Sequence, residues 1–427
     1  MKSNEIARGF LFFLAFILFL GYNCTKIIPG GKGSMESRAF ELIAAEQARQ
    51  NNNIELIASE NFVSENVMRA VGSCLTNKYA EGYPTERTSG KTGRYYGGCE
   101  VVDQLEEYCC DKWREVFSTD YHVNVQPHAG SSANLAAYFS VLKPGDTILS
   151  MDLNNGGHLT HGSAVNFSGK LFNMVFYSVT DQGFIDYDDI EKKAAQYHPQ
   201  LILAGASAYS RIIDFERIGA IAKANGAYFM VDMAHIAGLV AAGMHPSPFG
   251  IADIITTTTH KTLRGTRGGM IFCRPELAKK VDAGIFPGTQ GGPLMHVIAG
   301  KAVTAEEACA TAFKEYIAQV LKNTRAMCDT FISLGYDIVT GGTDNHLFLI
   351  DFTKTHPTLS GKDVQNELDR HGITLNKNCV PGEKRSPAQA SGVRIGCAAM
   401  TTKGWKEADA VACAKRIHEI ITALAAK

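Results

Sequence analysis

The chain has no internal repeat, no low-complexity tract and almost no net charge. Its 42 basic residues face 43 acidic ones, which leaves −1. That balance gives no field to steer the molecule to nucleic acid, and none is expected as a partner. The 11 cysteines are odd in number and show no Cys-x-x-Cys spacing. A disulfide framework is a poor reading for 427 residues, and no metal-ligand pattern accompanies the thiols. They read as free and buried in a reducing, cytoplasmic compartment. Also missing is an apolar run of the roughly 20 residues that a membrane-spanning helix needs. The nearest approach is Phe10 to Leu20, eleven residues preceded by Lys2 and Arg8. That order resembles a secretory signal. Residues 9–21 would touch a membrane only as a signal or anchor. The preferred reading of residues 1–34 is an upstream extension that adds nothing to the folded protein.

What is present is an ordinary globular composition, 45% hydrophobic and 20% charged, long enough for two domains. Helical periodicity from Ser37 to Arg49 stops at Asn51-Asn52-Asn53. Residues 83–98, rich in Gly, Tyr, Thr and Arg, have a loop composition. Helices are expected over 101–117, 132–142 and 218–225. Strands are expected over 123–126, 147–151, 171–177, 201–204, 228–231 and 254–258. Short apolar strands between helices predict an α/β fold with a mainly parallel sheet. From Ala312 a long helix to Gly335, strands at 347–351 and 393–397, and helices at 362–371 and from Lys406 predict a smaller α/β domain. The expected division is an arm over 35–85, a large domain over 86–311 and a small one over 312–427.

Tyr228-Phe-Met-Val-Asp232-Met-Ala-His235 is an apolar strand ending in an acid. Ligand sites in parallel sheets lie beyond such carboxyl ends. An aspartate there can pair with a protonated pyridine nitrogen, although strand-end acids more often cap turns. Thr256-Thr-Thr-Thr-His260-Lys261 ends the next strand. A lysine in that position can serve as a Schiff-base amine, with hydroxyls and His260 serving a phosphate or proton transfers. His128-Ala-Gly130-Ser131-Ser132-Ala-Asn134 reads as a helix start able to bind an anion, or as a capped helix with no ligand. Gly156-Gly157-His158-Leu-Thr-His161 lets backbone approach a ligand and could lay His158 against an aromatic ring. Only His161 is near enough to share a metal, so no metal is expected.

These motifs, with Glu55-Leu-Ile-Ala-Ser-Glu-Asn61, Thr76-Asn-Lys-Tyr79-Ala-Glu81-Gly-Tyr-Pro84, Arg94-Tyr-Tyr96-Gly-Gly-Cys-Glu100 and Phe286-Pro-Gly-Thr-Gln-Gly-Gly-Pro293, resemble the serine hydroxymethyltransferase family. The resemblance runs from Met35 to the C-terminus. It implies the type I pyridoxal-phosphate-dependent transferase fold, with a seven-stranded sheet in the large domain. The implied reaction is the reversible conversion of L-serine and tetrahydrofolate to glycine and 5,10-methylenetetrahydrofolate. Lys261 matches the lysine that carries pyridoxal 5'-phosphate, Asp232 the acid on the ring nitrogen and His158 the residue stacked on the ring. Ser207 and His235 match groups around the phenolic oxygen. Gly130, Ser131 and His260 match the phosphate cradle, with Gly292 supplied by the partner subunit. Arg394 matches the arginine that takes the substrate carboxylate, where a planar fork of donors suits the task. Ser59, Tyr79 and Tyr96 match substrate-side positions, and Glu81 the acid–base glutamate. Thr258 and Arg267 match positions that support exchange at the lysine. Leu153, Gly157, Leu159 and Asn345 match the tetrahydrofolate wall. Because Tyr79, Glu81 and Tyr96 act across subunits in the family, a homodimer with shared sites is implied, with a tetramer left open.

Four features depart from the family pattern. Thr85 to Gly93 is an insert between Glu81 and Tyr96, expected to bulge into solvent. Asn154-Asn155 replaces Ala-His before the paired glycines, and Cys397-Ala398 replaces Thr-Pro after Arg394. The fourth is the apolar N-terminus. Two rival readings are a folate-independent aldolase for threonine or related β-hydroxy amino acids, and a noncatalytic binding protein. The retained Glu81, Leu159 and Asn345 speak against the first. The presence of both Lys261 and Arg394 speaks against the second.

Overall fold

The computed structural model describes residues 37–84 and 93–427. The apolar N-terminal run and most of the insert lie outside the described residues. The first compact unit contributes one described helix, Arg38–Asn52, which ends within the expected Asn51-Asn52-Asn53 stop and is tied along its own length by Arg38–Glu41 and Arg49–Glu46 pairs. The second unit is Asn53–Lys427. Among the described residues, no helix is long and apolar enough to cross a membrane.

The strands in chain order are β1 (Ile54–Glu55), β2 (His122–Asn124), β3 (Thr147–Met151), β4 (Asn173–Tyr177), β5 (Leu201–Ala204), β6 (Tyr228–Asp232), β7 (Ile254–Thr258), β8 (Gly269–Cys273), β9 (Asp337–Ile338), β10 (Leu347–Asp351), β11 (Ile373–Thr374), β12 (Asn376–Asn378) and β13 (Gly392–Gly396). Seven of them form one sheet in the order β2-β8-β7-β6-β5-β3-β4. The pairs β3–β4, β3–β5, β5–β6 and β6–β7 are parallel, while β8 runs antiparallel to both β2 and β7. This is the mostly parallel α/β sheet that the sequence predicts.

The apolar run Leu201–Ala204 and the strand Ile254–Thr258 are buried along their whole length, as a sheet covered on both faces requires. The crossovers are short amphipathic helices with clear starts. Asp186 accepts from the N–H groups of Asp188 and Asp189, and Asp214 from that of Arg217. The Phe215–Ala224 helix buries Phe215, Ile218, Ile221 and Ala222, with burial worth about 2 kcal/mol for each large side chain.

Strand β8 was not anticipated. It follows the Gly-rich turn after Lys261. The segment expected as a strand from Leu171 begins instead with a short helix, Phe167–Leu171, capped by Asn166. A second sheet, β12-β13-β10-β9, is antiparallel throughout. It packs on the long Thr311–Ser333 and Glu407–Ala425 helices through Phe331, Phe348, Phe352 and Ile417. Strand β1 pairs with β11, and Gly396 N donates to Leu56 O at 2.9 Å. These pairings carry residues 57–61 to the edge of β13, beside Arg394.

Candidate active site

The carboxyl ends of β3, β5, β6 and β7 open on one cavity of about 610 Å³. Fifteen of the residues singled out in the sequence line it: Ser59, Gly130, Ser131, Leu153, Gly157, His158, Leu159, Ser207, Asp232, His235, Thr258, His260, Lys261, Arg267 and Arg394. Gly157 is there because nothing larger fits: a Cβ would stand 2.2 Å from Met151 O. Gly130 and Ser131 begin the Gly130–Val141 helix, whose first turn is tied by Ser132 Oγ to both backbone groups of Ala129.

Asp232 ends β6 in the floor of this cavity. Burial would raise the pKa of its carboxyl. The His161 hydrogen bond and the nearby positive groups outweigh burial and hold it well below the usual carboxylate range. Oδ2 accepts from Asn134 Nδ2 at 2.9 Å and faces His161 Nε2 at 3.1 Å; Oδ1 accepts from Ala234 N at 3.1 Å. His161 Nδ1 accepts the His158 N–H at 3.2 Å, which leaves Nε2 as the donor toward Asp232. Asn134 Nδ2 also donates to Thr160 Oγ1 at 2.7 Å, and Thr256 Oγ1 donates to Asn134 Oδ1 at 2.6 Å. Thr160 Oγ1 lies 2.7 Å from His158 Nδ1, which also accepts from Thr160 N. Nδ1 is therefore an acceptor, and the proton of the neutral ring sits on Nε2. Burial, then the charge of His161, brings His158 down to about 4, so the ring is neutral at pH 7. The ligand-capable atoms of His158, His161 and Asp232 lie within 4.8 Å of one another. Both His161 nitrogens and Asp232 Oδ2 are engaged in the hydrogen bonds just described.

Lys261 follows β7 and is buried. Burial pulls its ammonium down to about 8, against the opposing charge of Asp232. Its backbone is fixed from a distant segment, because Asn61 Nδ2 donates to Lys261 O at 2.9 Å and to Tyr316 Oη at 2.7 Å. Arg394, in β13, is buried as well, and burial alone lowers it to about 10. Its donors go to Ser207 O (2.6 Å), Asn376 Oδ1 (3.2 Å) and Ser59 Oγ (3.5 Å). No carboxylate pairs with it among the described residues. A buried guanidinium held only by neutral acceptors is poised for an anion.

The family model for serine hydroxymethyltransferase matches residues 33–417 of the chain. The chain belongs to that family. Serine hydroxymethyltransferases are pyridoxal-phosphate enzymes that interconvert L-serine and glycine with tetrahydrofolate as cosubstrate, and this is the chain's reaction. The cavity fits the cofactor on its own evidence. His260 Nδ1 and Thr258 Oγ1 are buried without a hydrogen-bond partner among the described residues, a cost that a bound polar group removes. Burial, then the charges of Arg267 and Lys261, lowers His260 to about 3. His235 is buried against His346, with Nδ1 and Nε2 3.2 Å apart.

The remaining serine hydroxymethyltransferase positions lie elsewhere. Tyr79, Glu81, Tyr96 and Gly292 do not line the cavity. They form a cluster of their own: Tyr79 Oη donates to Glu81 Oε1 at 3.4 Å, the Tyr79 and Tyr96 rings are 5.0 Å apart, and Gly292 abuts the Tyr79 ring. Both tyrosines are exposed. Burial, then the charge of Glu81, raises the Tyr96 phenol.

The chain around the insert closes on a clamp. Tyr83 N donates to Gly93 O at 3.0 Å and Tyr95 N to Glu81 O at 2.9 Å. Buried Arg94 donates to Ala80 O and Gly82 O, both at 2.8 Å, and pairs with Asp103 and Glu106 at 2.8 Å each.

Asn345, expected on the tetrahydrofolate wall, is kept off the cavity. It is buried, its Nδ2 donates to Tyr209 O at 2.9 Å, and its Oδ1 accepts from Leu347 N at 3.1 Å. Asn378 lines the cavity. Asn154 and Asn155 turn on Asp152 Oδ1 and line a separate small cavity. Asn61, Asn134 and His161 are residues whose importance went unseen. All three stand inside motifs already singled out, but their partners are distant in sequence.

Proposed function

We propose that the Lys261 cavity is where the chain carries out its reaction, with roles set by the contacts above. The observation that carries this is one cavity holding an amine lowered to about 8 and a buried guanidinium without a carboxylate. Pyridoxal phosphate, when bound, supplies the electron sink that lets the Cα–Cβ bond of serine break. Lys261 holds the cofactor and yields it to the substrate amine. Asp232, kept ionised by His161 and hydrogen-bonded to Asn134, would face the ring nitrogen and hold its proton in place. His158, neutral and fixed by Thr160, would lie against the ring face. Ser207 and His235 serve the phenolic oxygen. Gly130, Ser131 and His260 hold the phosphate, while Thr258 and Arg267 support exchange at Lys261. Arg394 and Ser59 orient the serine carboxylate, which sets the scissile bond relative to the ring.

Glu81, Tyr79, Tyr96 and Gly292 serve the cavity of a second copy. Their grouping around two exposed tyrosines, outside the cavity of their own chain, supports a homodimer with shared sites. Glu81 is the group that moves the proton of the serine hydroxyl. Leu153, Leu159 and Gly157, with Asn378 in place of Asn345, form the tetrahydrofolate side. The domain division at 311/312 is supported by one sheet built within residues 122–273 and another within 337–396. A cytoplasmic location is supported by free thiols such as those of Cys99, Cys109 and Cys328.

The test is serine cleavage by the Met35–Lys427 form, measured across tetrahydrofolate concentrations. Cleavage is expected to depend on tetrahydrofolate. Asn378→Ala should raise the tetrahydrofolate KM about tenfold, the loss of one or two polar contacts. Asn345→Ala should lower thermal stability and leave that KM within about twofold. Equal rates with and without tetrahydrofolate, or the reverse pattern in the two variants, would overturn these assignments.

A further inference from the structure

Lys301 is a buried cation that none of these roles uses. It lies in the Met295–Cys309 helix and is 1% exposed. Its ammonium donates to the carbonyls of Val125 (2.6 Å), Pro127 (3.0 Å) and Gly269 (2.7 Å). Three carbonyls satisfy its three protons. It forms no ion pair among the described residues. The nearby acid Glu106 is engaged by Arg94 and Gln126. Apolar side chains fill a core at lower cost than an ammonium, so its presence asks for a use.

The three carbonyls mark that use. Val125 and Pro127 belong to the short link between β2 and the Gly130–Val141 helix. Gly269 begins β8, and its N–H donates to Pro127 O at 3.1 Å. Gly269 lies directly against the start of the helix: a Cβ on it would stand 2.4 Å from Ala129 O and 3.0 Å from Gly130 N. The ammonium thus ties together the two strand ends that abut the helical turn where Gly130 and Ser131 line the cavity. Its charge also reaches the cavity wall, where it disfavours protonation of His260.

We propose that Lys301 is a positioning residue for the phosphate cradle, turning the carbonyls of residues 125, 127 and 269 toward itself and placing a buried positive charge behind the first turn of the Gly130–Val141 helix. The inference rests on the assignment of Gly130, Ser131 and His260 to the cofactor phosphate. An anion at a helix start gains from the helix dipole, and a fixed cation behind that turn adds to the same field.

The experiment compares binding of pyridoxal phosphate with binding of pyridoxal, which keeps the aldehyde and lacks the phosphate. Both are titrated into the full chain stripped of cofactor. Ser131→Ala is the control for the cradle itself and should reduce the preference for the phosphorylated form. Lys301→Met should reduce that preference about tenfold while pyridoxal affinity stays within twofold. Gly268→Ala keeps the charge and displaces it, since the new Cβ would stand 2.4 Å from Lys301 Cε. It should give an intermediate loss, and it decides the matter if the methionine variant fails to fold. Inorganic phosphate should compete less well with pyridoxal phosphate in both variants.

If Ser131→Ala leaves the preference intact, the cradle assignment itself fails. If Ser131→Ala removes the preference and the Lys301 and Gly268 variants keep it, only the role of Lys301 falls. Equal losses for pyridoxal and pyridoxal phosphate would also overturn that role, because they would mean general loosening of the fold.

Discussion

Lys261 and Glu81 look alike in the sequence, each a charged residue in a polar, glycine-rich neighbourhood. The structure treats them in opposite ways. Lys261 lies in a cavity whose walls come from four strand ends, with Arg394 buried and Asp232 and His158 half-buried around it. Glu81 lies among exposed tyrosines, outside any such enclosure in its own chain. The enclosed half is built to perturb: Lys261 is brought down to about 8 and His158 to about 4, both chiefly by burial. The open half has held geometry but no enclosure, and burial by another surface is what it lacks. One chain therefore makes the part of the site that needs a low dielectric. On the proposed assignment, the chemistry that meets substrate from the other side arrives on a second copy.

The sharpest way to break this comparison is to inactivate the two halves on different chains. Lys261→Ala and Glu81→Gln should each be nearly inactive alone. Co-expressed in equal amounts, they should recover about a quarter of the wild-type activity, because half of the dimers are mixed and each mixed dimer has one intact site. Absence of recovery in verified mixed dimers would mean that Glu81 serves its own chain.

A smaller effect probes the enclosed half. Arg394→Lys keeps a cation and removes the fork, so the serine KM should rise between about 10-fold and 100-fold, the worth of one charged hydrogen bond. An unchanged KM would put the substrate carboxylate elsewhere.

The smallest effect concerns acid. Burial, the first cause in each case, lowers His158 to about 4 and His260 and His346 to about 3. The unfolded chain takes up these protons near pH 6.5, before the folded one does. Stability is therefore full above that pH and is lost as pH falls from 6.5 toward 3 to 4, by about 1 kcal/mol per histidine at pH 5.5. Urea midpoints of the cofactor-free protein at pH 7.5 and 5.5 measure the loss. A flat profile would place these rings in contact with water.

The enclosed half was also the more legible in sequence. Strand β7 was found with its bounds because four threonines follow two isoleucines between clear breaks, and Lys261 follows directly from it. Asp232 was found because an apolar run ends on it. What escaped was the support behind them. His161 and Asn134 orient Asp232 across 71 and 98 residues of chain, and Asn61 reaches Lys261 across 200. Periodicity carries no trace of such contacts. Asn345 and Asn378 both spend their amides on neighbouring groups, and only packing tells that Asn378 also lines the cavity. Residues 85–92 lie outside the described structure, so the expected solvent bulge is untouched by these observations.

The clamp around Arg94 has a consequence for how this chain can vary. Two backbone hydrogen bonds and one guanidinium join residues 80–83 to residues 93–95, above any path the chain takes between them. Lengthening that path costs only the slow logarithm of loop closure. The separation of Glu81 from Tyr96 is thus independent of how many residues lie between them. A short reporter inserted between Pro84 and Gly93 is therefore expected to leave that separation unchanged.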